Sequence, residues 1–139
     1  LIDLSWASSH LEGNTYSRLD TRELIEHGKA ARGKGAIETQ MILNHKTAIE
    51  LLVENIDSAE FNRYTLMNLH SALAENLLPN PADEGRIRQH AVDISKSIYR
   101  PLSTAQQIEE VLDEVLSKAN QIHDPFAYSG EVEQPFRPT

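Results

Sequence analysis

The strongest constraint on this chain is the spacing of its apolar residues between Ile37 and Ile56. Ile37, Met41, Ile42, His45, Ile49, Leu52, Val53 and Ile56 recur every three or four positions, which places them on one face of a helix. Similar spacing predicts further helices on both sides. Ile2 to Leu11 forms a short apolar-rich helix stopped by Gly13 and Asn14, residues that tolerate a left-handed turn. A second short helix starts at Asp20, with Glu23 completing a capping box, and ends near Gly28. Asp57 and Glu60 form another box, opening a helix whose face is Phe61, Tyr64, Met67, Leu69, His70, Leu73 and Leu77 and which stops at Pro79 and Pro81. The last helix runs from about Ser103 to Ile122. Ile108, Val111, Leu112, Val115, Leu116, Ala119 and Ile122 face inward, and the acidic residues Glu109, Glu110, Asp113 and Glu114 form a solvated face.

Between the last two helices the period changes. Val92, Ile94, Ile98 and Tyr99 are strand formers around the polar centre Ser95-Lys96-Ser97, and they predict a short β-hairpin. The expected fold is therefore all-α with one β-hairpin flap at about residues 86–100. Residues 1–35 form an N-terminal helix and linker, residues 36–126 the core, and residues 127–139 an irregular tail. No internal repeat is visible.

Composition narrows the function classes. A net charge of −8, with 13 basic residues scattered among 21 acidic ones, lacks the basic stripe that neutralises nucleic-acid phosphates. The short basic stretch Lys29, Arg32 and Lys34, set among Gly28, Gly33 and Gly35, reads as a solvated loop without P-loop spacing. The absence of cysteine removes thiolate metal sites and disulfides and fits a reducing, cytoplasmic setting. No apolar run reaches membrane-spanning length, and no signal peptide opens the chain. Neither nucleic acid nor membrane is expected as a partner, and homo-oligomerisation is left open.

The residues alone reveal no catalytic centre. The histidines His10, His27, His45, His70, His90 and His123 form no HExxH pair, and His45 and His70 read as hydrogen-bonded core histidines. There is no GxSxG elbow, and Ser8-Ser9 beside His10 is mere adjacency. One motif is more pointed. Ser8, Glu12, Gly13 and Asn14 stand as Ser-x-x-x-Glu-Gly-Asn at the end of the first helix. Ser8 and Glu12 share a face one turn apart, and Glu12 lies where the helix dipole disfavours a negative charge. A cation is expected to compensate it.

Several segments taken in order resemble the Fic (filamentation induced by cAMP) family. Ser8 to Asn14 matches that family's inhibitory motif, [S/T]xxxE[G/N]. Asn44-His45-Lys46 with Ala48 and Ile49 resembles the helix that follows, and Leu69-His70-x-x-Leu73 the start of the core. Gly85-Arg86-x-Arg88, Val92-x-Ile94 and Tyr99-x-Pro101 resemble the flap, and Ile122-His123-Asp124-Pro125-Phe126 the approach to the active-site helix. The likeness runs from Trp6 to Phe126.

The resemblance implies transfer of AMP from ATP, with Mg2+ on the phosphates, to a hydroxyl of a target protein. It assigns Ser8, Glu12, Gly13 and Asn14 to self-inhibition, the glutamate pairing with an arginine of the catalytic loop. It assigns Ile94, Ser95, Lys96, Ser97 and Ile98 to a flap that pairs with the target as an added strand. The catalytic loop itself, HxFx[D/E]GNGRxxR, does not occur in the sequence. The chain is thus expected to be inactive alone, to bind ATP weakly if at all, and to carry no catalytic or metal-ligating residue. It reads as an excised piece of a longer protein, a gene product truncated or frameshifted near Phe126, or a sequence from which a stretch is missing. The competing readings are a helical interaction module that uses the flap for strand addition, and a plain helical structural domain.

Overall fold

A computed structural model describes residues 1–122. Five α-helices follow in order: α1 (Ile2–Leu11), α2 (Arg18–His27), α3 (Ala36–Glu54), α4 (Arg63–Ala74) and α5 (Ala105–Asn120), with a 3₁₀ turn at Pro81–Asp83. The described residues contain no strand, so the all-helical expectation holds without its hairpin. His123, the Asp124-Pro125-Phe126 stretch and the predicted tail lie outside the described residues. The described residues divide into two compact units, one of Leu1–Ala59 with Tyr64–Arg88, the other of Glu60–Arg63 with the described residues from Gln89.

In the first unit α1 packs on α3 and α2. It does so through serines, not through an apolar stripe. Ser5 and Ser9 are buried, whereas Leu4 and Leu11 are exposed. Each buried hydroxyl donates to the carbonyl one turn back, Ser5 Oγ to Leu1 at 3.0 Å and Ser9 Oγ to Ser5 at 2.6 Å. Small, self-satisfied side chains let the backbones approach without leaving a polar group unpaired. The first turn of α2 is capped by Ser17, not by Asp20. Ser17 Oγ accepts from the Asp20 N–H at 3.0 Å and donates to the Asp20 carboxylate at 2.8 Å. Asp20 is the third residue of the cap, so the box reads Ser17-x-x-Asp20 and the helix starts at Arg18.

The predicted face of α3 is buried only at its centre, at Ile42 and His45, with Asn44 and Ala48 added. Ile37, Val53 and Ile56 are exposed. The reason is length. Ten-residue partners span about 15 Å each against about 28 Å for the nineteen residues of α3. The core proper joins Tyr16, Leu24 and Ile42, flanked by Ile25, Ala31 and Leu43.

Tyr16 is also the polar hub of this unit. Its hydroxyl accepts from Ala31 N–H at 3.1 Å and meets Thr39 Oγ1 at 2.6 Å, while its carbonyl accepts from Trp6 Nε1–H at 3.0 Å. Tyr16→Phe leaves the Ala31 N–H without its acceptor. It is expected to lower unfolding free energy by about 1–3 kcal/mol, read from the urea midpoint at unchanged slope.

No helix opens at Asp57. The Asn55 carbonyl accepts from Ser58 N–H at 2.9 Å and Ala59 N–H at 2.8 Å, closing turns that delay α4 to Arg63. Phe61 and Tyr64, placed on its predicted face, are exposed. The helix also ends early, at Ala74, because Asn76 turns left-handed at φ 57° before either proline is reached.

In the second unit α5 is capped by Thr104, whose Oγ1 accepts from Gln107 N–H at 3.3 Å. Leu116 is buried, whereas Val111, Val115 and Ile122 of the predicted inward face are exposed. Its acidic run is largely exposed and carries surface ion pairs. Arg63 grips both oxygens of Asp113 at 2.6 and 2.8 Å and lies 3.6 Å from Glu109, and Lys118 pairs with Glu114 at 2.8 Å. The Arg63 guanidinium holds the Asp113 carboxyl below its ordinary range, first by hydrogen bonding.

The flap segment is a turn, not a hairpin. Ser97 N–H donates to the Ile94 carbonyl at 3.1 Å, and Lys96 takes the left-handed φ of 62° that closes it. The flanks meet through the Asp93–Arg100 ion pair at 3.2 Å. Ile98 is fully exposed and Ile94 about half exposed. A two-stranded ribbon with no apolar face to bury is marginal at best, and these β-formers have no packed surface to pair upon.

Candidate inhibitory site at the end of α1

The motif residues gather where α1 ends against α3. Gly13 adopts φ 93°, and an added Cβ there would touch nothing, so the glycine answers a backbone demand alone. The reversal is closed by Glu12 and Asn14 N–H donating to the Ser9 carbonyl, both at 3.1 Å, and by Gly13 N–H donating to His10 at 3.0 Å. Asn14 then fixes the exit. It is 3% exposed, its Nδ2–H donates to the Glu38 carbonyl at 2.8 Å, and its Oδ1 accepts from Tyr16 N–H at 3.0 Å.

Outside this pin lies a second clasp. The Glu38 carboxylate accepts from Thr15 N–H at 2.7 Å and Thr15 Oγ1–H at 2.6 Å, and Lys34 Nζ reaches Thr15 Oγ1 at 2.7 Å. The Thr15 hydroxyl, then its N–H, holds the Glu38 carboxyl below its usual range. Because the folded value is depressed, the clasp is complete above the ordinary carboxylate range and is lost as acid takes the pH down through the lowered value.

The group that meets Glu12 is the imidazole of His45, a residue that sequence pattern assigned to the core. Its side chain is nearly buried, and α1 supplies a partner for each ring nitrogen. Ser8 Oγ lies 2.9 Å from Nδ1, and Glu12 Oε2 lies 3.4 Å from Nε2. The Ser-x-x-x-Glu interval is thus the interval that brackets one imidazole. Glu12 does not turn fully inward, since its side chain remains 59% exposed. Only the i, i+4 spacing could have signalled His45, and nothing in sequence links two residues 37 positions apart.

Around the same turn, Trp6 stacks on His10 at 5.2 Å, and Arg18 lies over the Trp6 ring at 5.3 Å while pairing with Asp3 at 2.6 Å. The proposed flap residues Ile94, Ser95, Lys96, Ser97 and Ile98 belong to the second unit. Among the described residues no three histidine, cysteine, aspartate or glutamate side chains converge as a metal site, and no helix is long and apolar enough to cross a membrane. The basic residues Lys29 and Arg32 line a hollow of about 290 Å³ with Asp20 and Glu23, whose charges balance theirs.

No family model and no curated protein matches the chain. Among solved structures it is similar to Fic-1 (residues 134–508) from C. elegans, with a TM-score of 0.69 and 22% identity over 86% of this chain. The chain spans about a third (34%) of that structure's length. The likeness shows a Fic-like helical fold.

Proposed function

We propose that this chain is the regulatory and scaffold portion of a Fic-type enzyme that transfers AMP to a protein hydroxyl, with α1 as its self-inhibitory helix. The observation that carries the reading is the placement of Glu12. Its carboxylate sits at the exposed end of a helix docked on α3, in an unfavourable dipole position, steered by one imidazole and otherwise open to solvent. Such a group is available to an incoming guanidinium, which a carboxylate can hold through two parallel hydrogen bonds. Held there, an arginine of the catalytic loop is denied to the ATP γ-phosphate.

ATP and its divalent metal would supply the AMP group and neutralise phosphate charge. The described side chains include no set suited to that metal, and no chemical step is assigned to them. The chain is inactive by itself on this reading. Target contact is proposed at the turn Ile94–Ile98, through the two exposed isoleucines in place of a preformed strand edge. The lack of that edge removes the main support for a separate strand-addition module.

The test is a comparison of AMP transfer by a full-length enzyme containing this segment and the catalytic loop with its Glu12→Gly variant at equal concentration. The variant is expected to transfer faster because the arginine is freed. Equal rates would remove the inhibitory assignment even with the Fic-like fold intact.

A further inference from the structure

We propose that His45 is the positioning residue for the inhibitory carboxylate, an assignment that rests on the inhibitory reading of Glu12. The partners of the ring limit where its protons can sit. Ser8 Oγ–H has three competing acceptors, the Leu4 carbonyl at 2.8 Å, His45 Nδ1 at 2.9 Å and, more distantly, the Ser5 carbonyl at 3.4 Å. If the hydroxyl donates to Nδ1, a neutral ring carries its hydrogen on Nε2, facing Glu12. If the hydroxyl turns to either carbonyl, Nδ1–H donates to Ser8. Nε2 must then also be protonated, or its lone pair would oppose the carboxylate. Both satisfactory arrangements put an N–H on the Glu12 side.

The distance says what kind of hold this is. At 3.4 Å the Nε2–Oε2 contact is longer than a well-formed hydrogen bond. His45 therefore steers Glu12 without locking it. The ring itself is fixed, because it is buried and Ser8, one turn before Glu12 on α1, holds its other nitrogen. Oε2 lies against the ring, and the Glu12 side chain as a whole stays 59% exposed. The carboxylate is thus steered from one side by the imidazole while the side chain stays open enough to solvent for a cation to reach it. Restricting its rotamers before that cation arrives reduces the entropy lost in binding it.

Two isosteric substitutions separate positioning from packing. His45→Asn keeps a polar group near the Nδ1 position for Ser8 but ends short of Glu12. His45→Gln, one methylene longer, restores a donor near the Nε2 position. In the full-length enzyme His45→Asn should raise AMP transfer roughly two- to five-fold, the upper span of a partly exposed charged contact. His45→Gln should stay near wild type, and His45→Asn combined with Glu12→Gly should gain nothing over Glu12→Gly alone. A rise of equal size in both single variants, or in neither, would overturn the proposal. Failure of Glu12→Gly to activate would mark the inhibitory reading itself as the fault. Activation by Glu12→Gly without activation by His45→Asn would remove only the role given to His45. A measurement free of any variant uses the present chain: ring ¹⁵N shifts of His45 should show Nε2 protonated, and a ring protonated on Nδ1 with Nε2 bare would also overturn the proposal.

Discussion

Asn44→Asp should destabilise the first unit by about 3–5 kcal/mol, the cost of a buried charge left without a partner. Asn44 is 1% exposed on α3, and its amide group binds the end of α4. Nδ2 donates to the Leu73 carbonyl at 2.9 Å and to the Glu75 carbonyl at 2.8 Å, while Oδ1 accepts from Gln40 Nε2 at 2.8 Å. A helix leaves its last carbonyls without intrahelical donors, and here a neighbouring helix supplies them. Aspartate has the same shape and no donor when ionised, so two carbonyls and the negative end of the α4 dipole would face a carboxylate. Asn44→Ala, which removes the donors without adding charge, should cost less, about 1–3 kcal/mol. The Asp deficit should also shrink on acidification, because burial raises the carboxyl's pKa and the protonated form regains one donor. Urea unfolding of the three proteins at two pH values measures all of this. An aspartate variant as stable as the alanine variant would show that Asn44 does not cap α4.

Gly85→Ala should be the costliest glycine substitution among the described residues. Gly85 has φ 73°, a conformation that costs a residue with a Cβ about 1–2 kcal/mol. An added Cβ would also lie 3.0 Å from Ser71 Cβ and 3.1 Å from the Met67 carbonyl oxygen, both on α4. Neither can move easily, one being backbone and the other anchored at Cβ, so overpacking adds about 1–3 kcal/mol. Displacement would further strain the bond from Gly85 N–H to His70 Nδ1, 2.9 Å long. Gly28→Ala is the control. It has φ 65° with nothing within 4 Å of a built Cβ, so it should show the conformational cost alone. Equal shifts in thermal midpoint for the two variants would mean that Gly85 is not wedged against α4.

Local signals in the sequence reached a long way. The three- and four-residue spacing of α3, the Gly13-Asn14 stop of α1 and the left-handed Gly28 after α2 are all short-range demands of backbone geometry, and the helices lie close to where those demands put them. The Ser8–Glu12 spacing likewise announced a shared helical face. Errors arose where local signals competed. Two overlapping boxes, Ser17-x-x-Asp20 and Asp20-x-x-Glu23, were both available at α2, and the chain used the earlier one. β-Propensity around Ser95-Lys96-Ser97 predicted strands, but a strand needs a neighbour and a surface, neither of which propensity supplies.

What remained was decided by long-range contact. That α1 would bury serines and expose leucines depends on how closely α3 approaches, which no helical period records. Asn44 became a cap because the end of α4 arrives beside it, 29 residues away in sequence. His45 became the partner of Glu12 because packing brought one imidazole between two residues of a distant helix turn. The sequence by itself determined which segments are helical and which residues could carry charge or accept a left-handed turn, since those properties depend on a few neighbouring residues. Only the tertiary structure decided which polar side chain would satisfy which buried group, because that depends on which surfaces meet once the chain has closed.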